Sequence, residues 1–422
     1  MLKKDVKVPI LFTLIVVELV LGGAGRLIII GDNSISERYI LFGLGMFYWI
    51  YNEGYKSQTS SSSELTKSAL TNTRYSLHII LVFLMLMVAG IIGFFYSNSI
   101  TNIIGNFQAY IFLLLFFPFA SVIRTKEQAL KVFNVFNECA VILSIFIIIL
   151  NIALNAGYSY TILANFMEKY GLGLIGYSGT TPRVFFKGSI LIMVAFGNQL
   201  LIIVNSYQKN LIRSSVKLVI LGLATIFSYT MGIWLGAAVV LLIVLILQWR
   251  RLKMSTIVIG IIALLCVAYF EKDTIMKVFQ LRTGSKDISS LVKKQQRQVL
   301  LNLWKSHPFF GMGLGKEVVL STVMGTRVMS QFESAWIQLL MNTGIIGLFI
   351  YGSLIVRASY DGLLKLKNSD TTIRMLGLSI FLSMVSLSIV NWFNPVLNNP
   401  IGIGYLVISL TILNVIRVEN NI

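Results

Sequence analysis

Apolar stretches of about twenty residues recur from one end of the chain to the other, separated by polar connections. A helix needs about 20 apolar residues to cross the hydrocarbon core of a bilayer. The pattern therefore predicts an all-α polytopic membrane protein, in which residues 1–422 form a single integral membrane domain. We predict about twelve transmembrane helices, at residues 8–25, 36–55, 77–96, 107–123, 135–155, 188–205, 217–231, 233–249, 255–270, 335–356, 374–393 and 400–417.

Lysine and arginine cluster in every second connection between these segments, whereas the short connections 97–106 and 391–399 carry neither residue. Short cytoplasmic loops of membrane proteins are enriched in these residues. The alternation predicts a multi-pass protein of the cytoplasmic membrane with both termini in the cytoplasm. The clusters are Lys3, Lys4 and Lys7; Lys56, Lys67 and Arg74; Arg124, Lys126 and Lys131; Lys209, Arg213 and Lys217; Arg250, Arg251 and Lys253; Arg357, Lys365, Lys367 and Arg374; and Arg417.

The composition excludes several other classes of protein. Hydrophobic residues make up 56% of the 422 and charged residues only 12%, about half of the charged fraction of roughly 25% in soluble domains. A soluble enzyme and a disordered chain are both excluded. The net charge of +18 does not indicate nucleic-acid binding, because most of the lysine and arginine residues lie in the clusters that mark the cytoplasmic side of the membrane. Cys139 and Cys266 lie inside apolar stretches and predict no disulfide framework.

Two long connections, residues 156–187 and 271–334, are predicted on the outer side and hold most of the remaining basic residues. Long loops cross the membrane largely regardless of their charge, so they do not contradict the topology. Connections longer than about 15 residues usually carry function. We therefore expect the functional site in these two loops.

The second loop contains the pattern of an amphipathic helix, with Asp287, Ser289 or Ser290 as its N-cap and with apolar residues at a helical period up to Trp304. Lys293, Lys294 and Arg297 fall on a contrasting face. Two interpretations are open. The helix lies on anionic headgroups with Trp304 at the interface, or its cations bind a lipid-linked phosphate or diphosphate, which arginine can contact with two hydrogen bonds.

The predicted helix stops at His307 and Pro308, and Gly311, Gly313 and Gly315 follow. No strand precedes these glycines, so they are not a dinucleotide-binding fingerprint. We expect them to allow a tight turn in which the backbone can approach a ligand closely. His307 is either a turn residue or a catalytic residue.

Two further charged residues stand where the chain enters the bilayer. Glu333 opens the tenth predicted segment, where it either stabilises the helix N-terminus or acts as a functional ionisable group at membrane depth. Arg183 follows Pro182 at the entrance to the sixth segment. It is either a snorkelling anchor or a second cation that converges with Arg297 on the same phosphate.

Several of these motifs together resemble the bacterial O-antigen polymerase and ligase superfamily (Wzy and WaaL type), including capsular polysaccharide polymerases of Gram-positive bacteria. The resemblance covers about residues 180–350, and its most specific part is the Pro-x-x-Gly-x-Gly-x-Gly stretch followed by Gly-Ile-Ile-Gly. It rests, in chain order, on Pro-Arg-Val-Phe-Phe-Lys-Gly around Arg183, on residues 228–235, on Arg297 to Gly315, on Glu333-Ser-Ala-Trp and on Thr343-Gly-Ile-Ile-Gly.

The chain departs from the ligase pattern at two positions. Met231 stands where the ligase branch usually has arginine, and Glu333 stands where it usually has histidine. Both departures favour the polymerase branch. Arg297 also lies closer to the His-Pro turn than the second arginine of the family often does, so Arg282 is a rival for its role.

The resemblance implies a metal-independent, GT-C-like membrane glycosyltransferase without a cofactor. It would join polyprenyl-diphosphate-linked oligosaccharide repeats, its donor and acceptor, on the outer face of the cytoplasmic membrane. Arg183 and Arg297, with Arg282, Lys293 and Lys294 as further candidates, would bind the diphosphate, and Glu333 would act on the acceptor hydroxyl. The bilayer, a flippase and a chain-length regulator are the other expected partners.

Three alternatives remain open: a flippase or exporter of lipid-linked oligosaccharides, an O-antigen-ligase-like glycosyltransferase, and a structural scaffold subunit. A transporter predicts charged residues near the middle of the membrane segments. Only Glu18 and Glu138 are acidic candidates there, and a scaffold explains neither long loop. The distribution of charge therefore favours chemistry at the outer surface over passage through the protein.

Overall fold

The computed structural model describes residues 8–23, 25, 28–30, 33–59, 75–178, 181–205, 211–248, 276, 288–322 and 325–418. Within them the protein is mostly helical. The α-helices are α1 Ile10–Leu21, α2 Glu37–Thr59, α3 Ser76–Phe95, α4 Ile100–Phe107, α5 Phe116–Val122, α6 Lys126–Asn155, α7 Tyr160–Lys169, α8 Ser189–Val204, α9 Leu211–Phe227, α10 Met231–Gln248, α11 Ile288–Ser306, α12 Ala335–Leu363, α13 Thr371–Val390 and α14 Pro400–Val418.

Three antiparallel two-stranded hairpins interrupt the helices in the described parts of the chain. They are β1 Ile28–Ile30 with β2 Asn33–Ile35, β3 Gly173–Ser178 with β4 Thr181–Phe186, and β5 Val318–Thr322 with β6 Gly325–Met329. Two short 3₁₀ helices, Tyr110–Leu115 and Leu364–Lys367, complete the secondary structure of these parts.

Eleven of the twelve predicted segments coincide with helices, and the segment at 255–270 lies outside the described residues. In the described parts of the chain, six helical stretches are long and apolar enough to cross a membrane, and three shorter apolar helices accompany them. The number of twelve spans stays a prediction. The six are Ser76–Phe95, Ile100–Val122, Lys126–Asn155, Met231–Gln248, Ala335–Lys367 and Thr371–Val390, and the shorter ones are Ile10–Leu21, Ser189–Val204 and Pro400–Ile416.

Helix α3 shows how the apolar surface is distributed. Its side chains at Leu77, Leu84 and Ile91, spaced by seven residues, are all exposed, while Ile79, Val82 and Leu86 are fully buried in the protein. A soluble protein rarely leaves a continuous apolar helix face open to water. The exposed face of α3 is therefore what a multi-pass membrane protein requires, since lipid covers it.

The described helices group into two compact units, each built from separated parts of the chain. The first unit contains α1, the start of α2, α6 to α10, the hairpins β1–β2 and β3–β4, and most of α13. The second contains the rest of α2, α3 to α5, α11, the hairpin β5–β6, α12, and the chain from Leu387 through α14. The prediction of a single integral domain stays a prediction.

In the first unit, α8 is buried along almost its whole length and packs against α6, α9 and α10. Two pairs of buried polar groups lie in this unit: Asn198 Nδ2 donates to Asn137 Oδ1 at 3.0 Å, and the carboxylate of Glu18 forms an ion pair with Arg38 at 2.7 Å. Burying a charge without such a partner is costly. The acidic residue that the sequence singled out in the first segment therefore has a structural partner.

Asp370 fixes the start of α13. Its carboxylate accepts hydrogen bonds from the backbone nitrogens of Thr372 and Ile373 and forms an ion pair with Lys126 at 2.8 Å. Burial alone raises the pKa of this carboxyl. The hydrogen bond from Lys126, the two backbone donors and the lysine charge outweigh burial and hold the pKa below its usual value. The carboxylate thus links two connections that the topology places on the cytoplasmic side.

In the second unit, α14 packs against the 3₁₀ helix at Tyr110–Leu115 and against α5. The rings of Tyr110 and Tyr351 meet edge to face at 5.6 Å, and the hydroxyl of Tyr351 donates to the carbonyl oxygen of Leu397. These contacts fix the helices beneath the polar connections described next.

The sequence predicts short amphipathic helices in the two long loops; each loop contains a helix and, in addition, a two-stranded hairpin that the sequence did not predict. The first loop contains α7 and the hairpin β3–β4, and the second contains α11 and the hairpin β5–β6. Glycine-rich stretches such as Gly173 to Gly176 suggest an irregular loop, but alternating β-branched and aromatic residues form short strands when a partner strand lies close by.

Candidate active site

Helix α11 packs its apolar face onto protein. Leu300 is fully buried in a cluster with Val318 and Leu320 of β5 and with Phe332, Ile337 and Met341 around the start of α12. This arrangement argues against the interpretation in which the helix lies flat on lipid headgroups, because the centre of its apolar face is covered by the second unit itself. Its basic residues are left on the other faces.

Lys293, which the sequence suggests for diphosphate binding, forms an ion pair with Glu333, which it suggests for the acceptor hydroxyl. Lys293 Nζ lies 2.7 Å from Glu333 Oε2, and it also donates to the carbonyl oxygen of Phe393 at 3.3 Å. The lysine side chain is 25% exposed and the glutamate 44%, so the pair is open to a ligand from one side. The backbone nitrogen of Glu333 donates to Gln296 Oε1 at 3.4 Å, which ties the same residue to α11 a second time.

Arg297 stands one turn along α11 from Lys293. Its guanidinium carbon lies 5.3 Å from the ring centroid of Phe393, close enough for a cation–π contact that fixes the plane of the guanidinium. Its Nε is buried and has no hydrogen-bond partner among the described residues. Buried donors are almost always paired, so this nitrogen is suited to an acceptor that arrives with a ligand, such as a phosphate oxygen.

The connection between α13 and α14 completes this surface. Ser334 Oγ donates to the carbonyl oxygen of Trp392 at 2.9 Å, and the backbone nitrogen of Ala335 donates to the carbonyl oxygen of Asn391 at 3.2 Å. Phe393 contributes both its ring and its carbonyl oxygen. The cluster formed by Lys293, Arg297, Glu333 and Phe393 is called the cation–carboxylate cluster below.

The three glycines of the turn after α11 are packed against helices. Gly311, Gly313 and Gly315 all have φ between 73° and 78°, a region that residues with a side chain avoid. A β-carbon at these positions would lie 2.5, 2.1 and 2.6 Å from backbone atoms of α12, α3 and α4, respectively. The close approach expected for a ligand is therefore made by protein backbone.

The same turn supplies hydrogen-bond partners for backbone groups at a break in α12. Gly344 has a non-helical conformation, with φ 66° and ψ −169°. In a continuous helix the nitrogen of Ile345 would donate to the carbonyl oxygen of Met341. Here the nitrogen of Ile345 donates to Pro308 O at 2.9 Å, and Met341 O accepts from Met312 N at 2.8 Å. Two groups left over by the break are thus satisfied by the glycine turn.

His307 acts in the turn rather than in the cluster. Its carbonyl oxygen accepts from the nitrogen of Gly311 at 3.0 Å, its Nδ1 lies 3.0 Å from Ser306 Oγ, and its ring meets Tyr96 edge to face at 5.1 Å. Pro308 accepts from Trp304 Nε1 at 3.0 Å. These contacts explain both residues, and Trp304, without a ligand.

Arg183 lies on β4 in the first unit. It pairs with Gly176 of β3 in the hairpin register, and its guanidinium carbon lies 5.5 Å from the ring centroid of Phe185. The convergence of Arg183 with Arg297 stays a prediction. Among the other predicted cations, Lys294 is exposed on α11, and Arg282 lies outside the described residues.

The sequence interpretation missed Phe393, Trp392 and Gln296. In the sequence analysis, the connection 391–399 entered only the topology argument, as a short loop without lysine or arginine. A Trp-Phe pair followed by Asn-Pro in an outer connection was a usable signal, because aromatic residues at a membrane surface often hold cations or substrates. Gln296 was a usable signal too, since a polar residue on the apolar face of α11 needs a hydrogen-bond partner.

The fold and the cluster define a multi-pass helical membrane protein in which two cations of α11 lie beside a carboxylate at the start of α12. Residues 216–352 match the family model described as O-antigen ligase. This match confirms the predicted resemblance to the O-antigen polymerase and ligase superfamily, and it includes α11, the glycine turn, Glu333 and the break in α12. A search of curated protein sequences gave no match.

Proposed function

We propose that the protein is a polysaccharide polymerase that joins polyprenyl-diphosphate-linked oligosaccharide repeats on the outer face of the cytoplasmic membrane. The observation that supports this most is the cation–carboxylate cluster, which lies inside the segment that matches the family. An unpartnered arginine nitrogen, a lysine and a carboxylate within one surface are the groups that transfer of a glycosyl unit from a diphosphate requires.

The proposed reaction assigns each group one task. The acceptor hydroxyl attacks the anomeric carbon of the donor sugar, and the bond from that carbon to the diphosphate oxygen breaks with its electron pair on the diphosphate. Arg297 and Lys293 stabilise the negative charge of the departing diphosphate. Glu333 accepts the proton of the acceptor hydroxyl.

The ion pair suggests how these tasks are coupled. Lys293 pairs with the carboxylate of Glu333 in the structure. A diphosphate that binds beside Arg297 competes for the lysine, since phosphate oxygens are strong acceptors for a charged amine. Glu333 then loses its partner when the donor binds, and its carboxylate becomes available to the acceptor hydroxyl.

The polymerase branch is favoured over the ligase branch by the two departures from the ligase pattern, Met231 and Glu333. A flippase is the second candidate. The acidic residues that a transporter would need in its membrane segments, Glu18 and Glu138, are paired with Arg38 and Lys217, respectively. Structural partners therefore account for both, and the proposal places the chemistry at the surface cluster instead.

The proposal is tested in cells that lack the protein and carry variants of it. Arg297→Ala should abolish the ladder of long polymer on a gel, while single repeats still reach the surface. Arg297→Lys should restore it poorly, because a point charge cannot replace the planar guanidinium. Lys305→Ala is the matched control, since Lys305 lies on the same helix and is exposed, and it should leave the ladder intact.

Two results would overturn the proposal. A full-length ladder in Arg297→Ala would exclude this arginine from diphosphate binding. Repeats that no longer reach the surface in the deletion strain would select the flippase. Arg183→Ala in the same assay decides whether the arginine of the first unit is also required.

A further inference from the structure

The segment that carries Glu333 has no regular secondary structure of its own, since β6 ends at Met329 and α12 begins at Ala335. Such a segment places a side chain accurately only when other groups hold its backbone. Three amide side chains do so within the second unit, and one of them, five positions further along the chain, makes two of these contacts.

Gln338 binds the segment at two points. Its Nε2 donates to the carbonyl oxygen of Ser330 at 3.2 Å, and its Oε1 accepts from the backbone nitrogen of Phe332 at 3.2 Å. The residue is 6% exposed. A neutral amide can satisfy a carbonyl and an N–H at once, which neither a carboxylate nor an ammonium group can do.

Asn106, on α4, supports the same carbonyl. Its Nδ2 donates to Ser330 O at 3.3 Å, and its Oδ1 accepts from Asn342, one turn along α12 from Gln338, at 3.1 Å. Gln338 and Asn106 therefore form an amide clasp around Ser330, and Gln296 binds the nitrogen of Glu333 from the opposite side.

We propose that Gln338 is a positioning residue that acts through Glu333: it fixes the backbone of residues 330–333 so that the carboxylate meets Lys293. The proposal rests on the function proposed above. Gln338 contacts the backbone of this segment rather than the charged side chains of the cluster. A displacement of about 1 Å at a reacting group can reduce the rate a hundredfold.

The kinetic test uses purified protein and lipid-linked repeat as substrate. Gln338→Met keeps the length of the side chain and removes its hydrogen bonds to Ser330 and Phe332, together with the one that it accepts from Asn398 Nδ2 at 3.4 Å. We expect kcat to fall by about tenfold to a hundredfold with little change in KM. Combined with Glu333→Gln, the substitution should cost nothing further, because the two residues act in series.

Gln199→Met is the matched control. Gln199 is 2% exposed in the first unit, and its amide likewise donates to a backbone carbonyl, that of Ser214, at 3.1 Å. Its loss should leave turnover unchanged. If Gln338→Met does not fold, Asn106→Leu removes the other donor to Ser330 and should lower kcat in the same direction.

A second measurement does not depend on activity. Cysteines at positions 293 and 333, in a chain whose own cysteines are replaced, should be joined rapidly by a short thiol cross-linker, and Gln338→Met should slow this reaction. Unchanged cross-linking, wild-type turnover in Gln338→Met, or multiplied losses in the double variant would each overturn the positioning role. Full turnover in Glu333→Gln would instead overturn the proposed reaction, and the cross-linking rate would still decide the role of Gln338.

Discussion

At the scale of single residues, the second unit concentrates its chemistry on one helix and two connections. Lys293 and Arg297 are one turn apart on α11, Glu333 precedes α12, and Phe393 lies between α13 and α14. The lysine touches both connections, and the arginine lies on the aromatic ring of one of them. Loss of any single contact in this cluster should alter the geometry of the others.

Glu333→Gln separates a catalytic role from a structural one. The substitution keeps the shape of the side chain but removes the carboxylate. If Glu333 accepts the proton, turnover of purified lipid-linked repeat should fall by at least about a hundredfold. The melting temperature should hardly change, since the ion pair is partly exposed and such pairs contribute roughly 0–1 kcal/mol.

Glu317→Gln is the control for that measurement. Glu317 is an exposed carboxylate of the same unit that accepts from Asn102 Nδ2 at 2.6 Å, and its loss should leave turnover near that of the wild type. A loss of only a few-fold in Glu333→Gln would show that the residue positions substrate and that another group accepts the proton.

The three charged residues of the cluster could be singled out from the sequence, but Phe393 and the contacts among the four residues could not. Arg297 stands out because it lies among basic residues on an amphipathic helix, and Glu333 because it is an acidic group at a membrane entrance. Phe393 lies in a distant connection without charge, and only the folded helices bring its ring to Arg297. Local periodicity contains no information about such contacts.

At the scale of elements, the structure depends on how the glycine turn fits among α3, α4 and α12. The turn enters between helices whose backbones it touches, and Asn98 fastens it by donating to the carbonyl oxygens of Met312 and Leu314 at 3.2 and 2.9 Å. The sequence predicted the turn correctly, because helix-stopping proline and repeated glycine are strong local signals. It did not predict the hairpins of the two long loops or the break at Gly344, which depend on neighbouring backbone.

Gly313→Ala should disrupt this fit. The new β-carbon would lie 2.1 Å from the nitrogen of Gly93 in α3 and would force a positive φ on alanine. The positive φ alone costs about 1–2 kcal/mol, and the overlap adds to it. We expect thermal unfolding in detergent at a clearly lower temperature and a shortened or missing polymer ladder.

Gly352→Ala serves as its control, because Gly352 lies in α12 of the same unit and a β-carbon there meets nothing within 4 Å. Alanine in a helix interior is favoured over glycine by about 1 kcal/mol, so this variant should be as stable as the wild type or more stable. Equal melting of Gly313→Ala and the wild type would contradict the packing of the turn on α3.

At the scale of the whole molecule, hydropathy and basic residues predicted most of the helical segments because both signals follow from the bilayer itself. Contacts within the second unit support the topology. The connection 97–106 contacts the glycine turn, and 391–399 contacts the start of α12, so both predicted outer connections lie beside the second long loop. Their orientation relative to the membrane stays a prediction. At the side predicted to be cytoplasmic, the hydroxyl of Tyr75 donates to the carboxylate of Asp361 at 2.8 Å.

Thiol labelling tests that topology directly. In a chain without its native cysteines, Arg327→Cys on the exposed face of β6 should react with an impermeant maleimide in intact cells. Ser369→Cys, exposed between the last 3₁₀ helix and α13, should react only after the membrane is permeabilised. Labelling at 369 with protection at 327 would reverse the predicted orientation.

The break in α12 has a consequence for how this chain can be recombined with its relatives. Pro308 and Met312 complete the backbone hydrogen bonding of a helix that begins more than twenty residues later. A chimera that takes α12 from one parent and the turn from another separates donors from the acceptors shaped for them, and unpaired backbone groups away from water cost several kcal/mol. Residues 307–346 should therefore come from the same parent, and the crossover points of a chimera should lie before or after this range.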